Sequence, residues 1–450
     1  MRISLPLHAV LWPAFSAAAL WGASAANPWR AGPASIDPRA GSPSPLSVPA
    51  GGLAAGWTLE VLAELPGEIS ALAAAPSELP DKQGFIYAGT TPNAGVYRFH
   101  LAAPKSIGIV GEGLGDDPKF GTSNVNVLTF ADVDRDGKPE LLASTSQIYP
   151  RGRPRLYVWS LDGSSPLQSV TRPRIGSSWS HGFGLIERPA PGPPSLFITF
   201  CGNGEVVEYQ MAKASGPTGF SQEAMQWKQV GQLPASGEWA ESADVDNDGR
   251  AEVCLAAGFA PGQAAVLAFS SEAPGAELRL KHRLDEGGRF GNVRFRVGPL
   301  GGDGAQELIA WWCTGLGDGD CEIIRYRLGP EGVRRRTVLT QGDAKQLWPQ
   351  DGQSALWDMD GDGRPEVWFA TSAGSVWNFD PARETGLVRV LHLDGGIGPI
   401  AGVRDPMTNK PVLLLGRDRA VLRLEPSGPA PTGEKTITRA TASGSGPASG

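Results

Sequence analysis

The sequence predicts an all-β chain folded as a seven-bladed β-propeller, with calcium loops between the first and second strands of some blades. Three observations carry that prediction. The 450 residues include 60 Gly and 39 Pro and have few stretches at helical period, a composition of strands joined by many turns. Three segments are nearly superimposable: FADVDRDGKPELLAS from Phe130, SADVDNDGRAEVCLA from Ser242 and LWDMDGDGRPEVWFA from Leu356. Their first aspartates, Asp132, Asp244 and Asp358, are 112 and then 114 residues apart, and weaker copies fall about midway between them.

Of the midway copies, PLGGDGAQELIAW from Pro299 keeps Asp303, Gly304 and Glu307 but lacks the first two acidic positions. ERPAPGPPSLFIT from Glu187 keeps only Gly192 and the apolar strand that follows. AAPSELPDKQGFIYAG around Ala75 and RDPMTNKPVLLLG from Arg404 extend the series outward, making seven units. Each turn precedes an apolar strand, a short loop and a second strand, as in FIYAGTTPNAGVYRFH and VWFATSAGSVWNFD. Apolar and polar residues alternate in VYRFH and VVEYQ, as half-buried strands require. A unit of this length holds four strands, which is one propeller blade. Trp57 to Leu62 is expected to add a strand to the final blade and close the circle. A β-solenoid would need shorter and more regular coils.

The propeller is placed at 51–425. Residues 1–25 read as a signal peptide: Arg2, an apolar stretch from Ala9 to Trp21, then Ala23-Ser24-Ala25. The apolar stretch is too short, and too interrupted by Pro6 and Pro13, for a membrane span. Residues 26–50 and 426–450, rich in Pro, Ser, Gly and Ala, read as a flexible linker and a disordered tail. The expected location is therefore secreted or periplasmic. A net charge of −7 argues against a nucleic-acid partner, which needs a basic surface. Four cysteines in an exported chain permit disulfides. Cys313 and Cys321 flank TGLGDGD and can staple a hairpin, whereas Cys201 and Cys254 read as singly buried.

In DVDRDGKPE three carboxylates alternate with other residues and Gly stands sixth, a loop suited to wrapping a hard cation. Asp132, Asp134 and Asp136 each offer an oxygen, the Lys138 carbonyl adds one, and Glu140 closes the shell. The same roles fall to Asp244, Asp246, Asp248, Arg250 (carbonyl) and Glu252. In the third loop they fall to Asp358, Asp360, Asp362, Arg364 (carbonyl) and Glu366. Six to eight oxygens in flexible geometry suit calcium better than magnesium, so about three Ca2+ sites are expected. An EF-hand needs a bidentate Glu at position twelve. Here that position is Ala143, Leu255 or Phe369, which excludes it.

Loops of this form, repeated blade by blade, resemble the FG-GAP or VCBS repeats of integrin α-subunit propellers and of many exported bacterial proteins. The resemblance covers about residues 55 to 425 and implies a binding or adhesion role.

Alternating strands send the loops that lead into each first strand to the face opposite the acidic loops. An aromatic recurs in five of these lead-in loops: Phe120, Trp179, Trp239, Phe290 and Trp348. Such rings either plug the joints between blades or form stacking platforms for a sugar or peptide. Asp116, Asp117, His181, Glu238, Glu241, Arg289, Lys345 and Asp351 differ among these loops and add candidate ligand contacts. A carboxylate pair such as Glu238 and Glu241 suits acid–base work. No phosphate loop and no Gly-x-Ser-x-Gly motif is present. The reading is a monomeric binding module for an extracellular glycan or protein. The alternatives are a secreted polysaccharide lyase or hydrolase, or a scaffold subunit of a cell-envelope complex.

Overall fold

The computed structural model describes residues 49–428 apart from 50, 51, 77, 78, 80, 81, 93, 115–122, 134, 148–154, 162–166, 171–181, 188–193, 201–203, 212–224, 259, 302, 316, 350–353 and 382–385. The proposed signal peptide, nearly all of the linker, and the tail beyond residue 428 lie outside the described residues. Among the described residues no helix is long and apolar enough to cross a membrane.

The chain begins with β1 (Trp57–Glu64). Blade 1 follows as β2 (Glu68–Ala74), β3 (Phe85–Thr91), β4 (Val96–His100) and β5 (Ala103–Gly111). Blade 2 is β6 (Ser123–Ala131), β7 (Glu140–Gln147), β8 (Arg155–Trp159) and β9 (Leu167–Val170). Blade 3 is β10 (Gly184–Ile186), β11 (Ser195–Thr199), β12 (Glu205–Met211) and β13 (Met225–Gln232). Blade 4 is β14 (Ser236–Ala243), β15 (Glu252–Gly258), β16 (Ala265–Ser270) and β17 (Arg279–Leu284). Blade 5 is β18 (Asn292–Gly298), β19 (Glu307–Cys313), β20 (Asp320–Gly329) and β21 (Gly332–Asp343). After the single-turn helix α1 (Ala344–Leu347), blade 6 is β22 (Ser354–Trp357), β23 (Glu366–Ala370), β24 (Ser375–Phe379) and β25 (Leu387–His392). Blade 7 takes β26 (Ile400–Arg404), β27 (Pro411–Arg417) and β28 (Ala420–Pro426) from the end of the chain and β1 from its beginning.

The result is seven four-stranded antiparallel sheets in a ring, a seven-bladed propeller. The expected closing strand is present: Trp57 pairs with Pro426, Leu59 with Leu424 and Val61 with Leu422. Trp57 also sets its ring edge-on to Trp368 of blade 6, 5.5 Å between centroids. All seven turns inferred from the repeat join the first and second strands of their sheets.

Second strands are buried on both faces, which explains apolar runs such as EVCLAAG and ELIAWWC that do not alternate. Fourth strands lie outermost in their sheets, and β21, GVRRRTVLTQGD, is polar and largely exposed. The core is divided accordingly among the joints. One cluster joins blade 4 to blade 5 through Trp239, Phe290, Phe295 and Trp312. Another joins blade 5 to blade 6 through Trp311, Trp348 and Phe369. A third joins blade 7 to blade 1 through Val412, Leu414, Ile86 and Phe99.

The disulfide expected between Cys313 and Cys321 is corrected. The two residues face each other in the β19–β20 register, yet both are free, buried thiols. Cys313 Sγ instead donates to the Asp318 carbonyl at 3.0 Å. The hairpin is already held by backbone bonds from Thr314 N–H to Asp320 O (2.9 Å) and from Gly315 N–H to Asp318 O (3.2 Å). Burial pushes both thiols up from their ordinary value, so neither is readily a thiolate. Cys254 is free and buried in β15, as expected, while Cys201 lies outside the described residues.

Candidate metal loops and the first-strand pocket

The acidic loops owe their shape to carboxylates folded back on backbone N–H groups. In blade 2, Gly137 N–H donates to Asp132 (3.0 Å), Lys138 N–H to Asp136 (2.8 Å) and Val133 N–H to Glu140 (3.0 Å). Blade 6 repeats the pattern from Gly363 to Asp358 (3.0 Å), Arg364 to Asp362 (2.9 Å) and Met359 to Glu366 (2.7 Å). Blade 4 does so from Gly249 to Asp244 (2.8 Å), Arg250 to Asp248 (2.9 Å) and Val245 to Glu252 (3.1 Å). The sixth-position glycines Gly137, Gly249 and Gly363 have φ of 84°, 89° and 86°, a left-handed turn that suits glycine.

Three loops of one sequence pattern differ in what faces their carboxylates. In blade 6 one oxygen each of Asp358, Asp360 and Glu366 lies within 4.8 Å of the other two. Glu366 is only 5 % exposed. Burial, with the Asp360 charge adding to it, pushes its carboxyl up to about 7 against the hydrogen bonds from Met359 N–H and Trp368. Arg404 reaches Asp358 from the next blade at 3.6 Å. In blade 2, Asp132 Oδ1 is buried with no hydrogen-bond partner, while Asp134 lies outside the described residues. An orphaned buried oxygen and a tight acidic cluster are what a hard oxygen-seeking cation satisfies, and both loops fit calcium.

Blade 4 does not. Lys281 Nζ stands 2.7 Å from Asp246, 2.8 Å from Asp248 and 2.8 Å from Glu252, and His282 Nε2 is 2.8 Å from Asp246. Burial works against the Lys281 charge, but hydrogen bonds to the three carboxylates outweigh it and hold the ammonium well above its ordinary value.

The degenerate loop of blade 5 is served by arginines. Arg325 donates to Glu307 at 2.5 Å and to the Leu300 carbonyl at 3.4 Å, and Arg327 pairs with Asp303 at 2.6 Å. The fourth positions of two loops tie neighbouring blades together. Arg135 pairs with Glu187 at 2.9 Å, and Asn247 exchanges hydrogen bonds with the backbone of Gln306 at 2.9 and 3.3 Å.

Lys281, His282, Arg325 and Arg327 were not legible as site residues. Their signal was present, since RLKHRL and IIRYRL are basic strands one or two places after an acidic turn. Only the folded register aims them at it.

Residues of the first strands, among them Leu185, Glu241, Ser242, Arg296, Ser354 and Leu356, line an open pocket of about 460 Å³. Glu241 is fully engaged there, accepting from Arg296 (2.6 Å), Trp239 Nε1 (2.9 Å) and Val297 N–H (2.9 Å). Arg296 goes on to the Ser354 hydroxyl (3.0 Å) and carbonyl (2.6 Å), and lies over the Trp239 ring at 4.6 Å. This network links blades 4, 5 and 6 through Glu241 and Arg296.

The stacking platform is corrected for three of its five rings. Trp239, Phe290 and Trp348 are 6 %, 1 % and 4 % exposed and fill blade joints, because a large ring beside a first strand buries more apolar area there than at the rim. Trp239 and Glu241 moreover belong to β14 itself and not to a loop. Arg289 is exposed, yet it lies over Phe290 at 4.5 Å and pairs with Glu322. Lys345 is the second residue of α1, whose cap Asp343 accepts from its N–H at 2.9 Å. Asp116, Asp117, Phe120, Trp179, His181, Asp351 and the Glu238 side chain lie outside the described residues.

The fold thus defines the chain as a seven-bladed β-propeller. No protein-family model matches it, and no curated protein does so either.

Proposed function

We propose that this chain is an exported, calcium-stabilised propeller of FG-GAP or VCBS type that acts as a monomeric binding module for an extracellular glycan or protein. The observation that carries the reading is the blade 6 loop, where Asp358, Asp360 and Glu366 converge around one point. The unpartnered Asp132 Oδ1 in blade 2 supports the same role there. With Asp136, Glu140 and the Lys138 carbonyl, Asp132 would hold one ion; Asp358, Asp360, Asp362, Glu366 and the Arg364 carbonyl would hold another. Bound calcium neutralises these carboxylates and fixes loops that otherwise repel themselves. Its part is stability, not chemistry.

A ligand would be met by the face opposite these loops, where the lead-in loops differ most in sequence. If calcium binds only the folded chain, a hundredfold excess over Kd adds about 2.7 kcal/mol per site. The melting temperature should fall in chelator and recover with Ca2+ but not with Mg2+; indifference to chelation would sink the metal reading. A glycan and matrix-protein array with and without Ca2+ tests the binding role. Silence on the array together with product release from a polysaccharide would transfer the assignment to the enzyme alternative.

A further inference from the structure

We propose that Lys281 is a tethered cation that takes the place of calcium in the blade 4 loop, so that this loop is closed without metal. The proposal rests on the calcium reading of the other acidic loops and departs from it at one blade. Three observations carry it.

The first is geometric. An ammonium offers three donors, and Lys281 Nζ meets three carboxylates at 2.7, 2.8 and 2.8 Å. The converging trio of this loop is Asp244, Asp246 and Asp248, and Nζ already holds two of the three. Calcium binds carboxylate oxygens at roughly 2.3–2.6 Å, so an ion in the loop would compete with Nζ for Asp246 and Asp248. The side chains of Asp246 and Glu252 are 0 % and 1 % exposed. They have little freedom to turn to a second cation beside the first.

The second is how Lys281 gets there. In blade 4 the β16–β17 register slips between Ala268 and Phe269, whose partners are His282 and Leu280. Lys281 is the unpaired extra residue, and the bulge lets Lys281 and His282 both reach the loop although they are sequence neighbours. Bulges re-aim side chains in this way. In blade 6 the corresponding residues Asn378 and Phe379 pair with Val388 and Leu387 without a gap, and the slip falls farther from the loop, between Val376 and Trp377. Among the described residues of blade 6, no residue is inserted at that place in the fourth strand, and the cation seen at its loop is Arg404 of blade 7, 3.6 Å from Asp358.

The third is the parallel in blade 5. There the carboxylates that survive in the degenerate turn, Asp303 and Glu307, are met by Arg327 and Arg325. Neighbouring blades therefore close the same turn with the chain's own cations, once with guanidinium groups and once with an ammonium.

Calcium bound per chain, counted by equilibrium dialysis at saturating Ca2+, tests this. Asp246→Asn should bind as much calcium as wild type, Asp360→Asn one ion fewer, and Lys281→Met one ion more. In chelator Lys281→Met should melt below wild type, and added Ca2+ should close the gap. Loss of one ion in Asp246→Asn, or no gain in Lys281→Met, overturns the inference. The Asp246→Asn comparison decides even where Lys281→Met fails to fold. An Asp360→Asn protein with the wild-type count removes the parent reading instead. The tethered cation is then judged by the chelated melts alone, and equal melting of Lys281→Met and wild type overturns it.

Discussion

At the scale of single residues, charge pairing decides which carboxylates are structural. Glu286 follows β17 and accepts two bonds from Arg336 Nε (3.1 and 3.2 Å), one from Arg336 Nη2 (2.5 Å) and one from the Tyr326 hydroxyl. Burial pushes its carboxyl up, but the hydrogen bonds from Arg336 and Tyr326 outweigh that and leave it below its ordinary value. Asp405 in blade 7 is held low in the same sense: burial is outweighed by the Met407 N–H and Arg423. A carboxylate with a depressed folded value contributes stability that is full above its unfolded value and is lost as pH falls through the folded one. Melting temperature should therefore drop as pH is lowered from the ordinary carboxylate range. A Glu286→Gln protein should start lower at neutral pH and show a shallower acid decline; parallel curves for the two proteins would refute the assignment.

Single elements are governed by how closely first strands approach the next blade. Gly402 in β26 faces Trp357 of β22 so closely that an added Cβ would stand 2.3 Å from the indole ring. Gly298 in β18 receives Leu356 in the same manner, with Cδ1 at 2.3 Å. Neither lies in the left-handed region, so the requirement is for space and not for backbone freedom. Gly402→Ala should destabilise by about 1–3 kcal/mol, the range for overpacking, read by denaturant unfolding with little change in slope. A neutral result would mean that the blade 6–blade 7 joint yields more easily than its packing suggests. The turns were legible because their carboxylates and glycines repeat in sequence. The glycine sockets were not, because the partner of Gly402 is set by ring closure and not by local pattern.

For the whole molecule, stability depends on the two ends of the ring meeting. β1 covers the outer edge of β28 over seven paired positions, and without it that edge would be open to other chains. A chain beginning at residue 66 should melt lower than the full chain, lose cooperativity and aggregate on heating. Light scattering alongside a thermal melt would check this, and unchanged melting would show that closure is not needed for the ring to hold. Calcium, on the proposed reading, would act at the same scale, since the loops of blades 2 and 6 tie first strands to second strands.

Taken by itself, the sequence determined the blade count, the position of every turn between first and second strands, and the closing strand. Each follows from local rules: a turn needs its glycines and carboxylates near one another, and a strand buried on both faces must be apolar throughout. What only the tertiary structure decided is which charges meet. Lys281 lies 29 residues beyond Glu252 and becomes its partner through a one-residue bulge. Arg296 finds Glu241 from 55 residues away, across a blade joint. The rings of Trp239, Phe290 and Trp348 look alike in sequence whether they plug a joint or face a ligand, and burial alone separates the two. Repetition is written along the chain, whereas contact between blades depends on a register that no single blade contains.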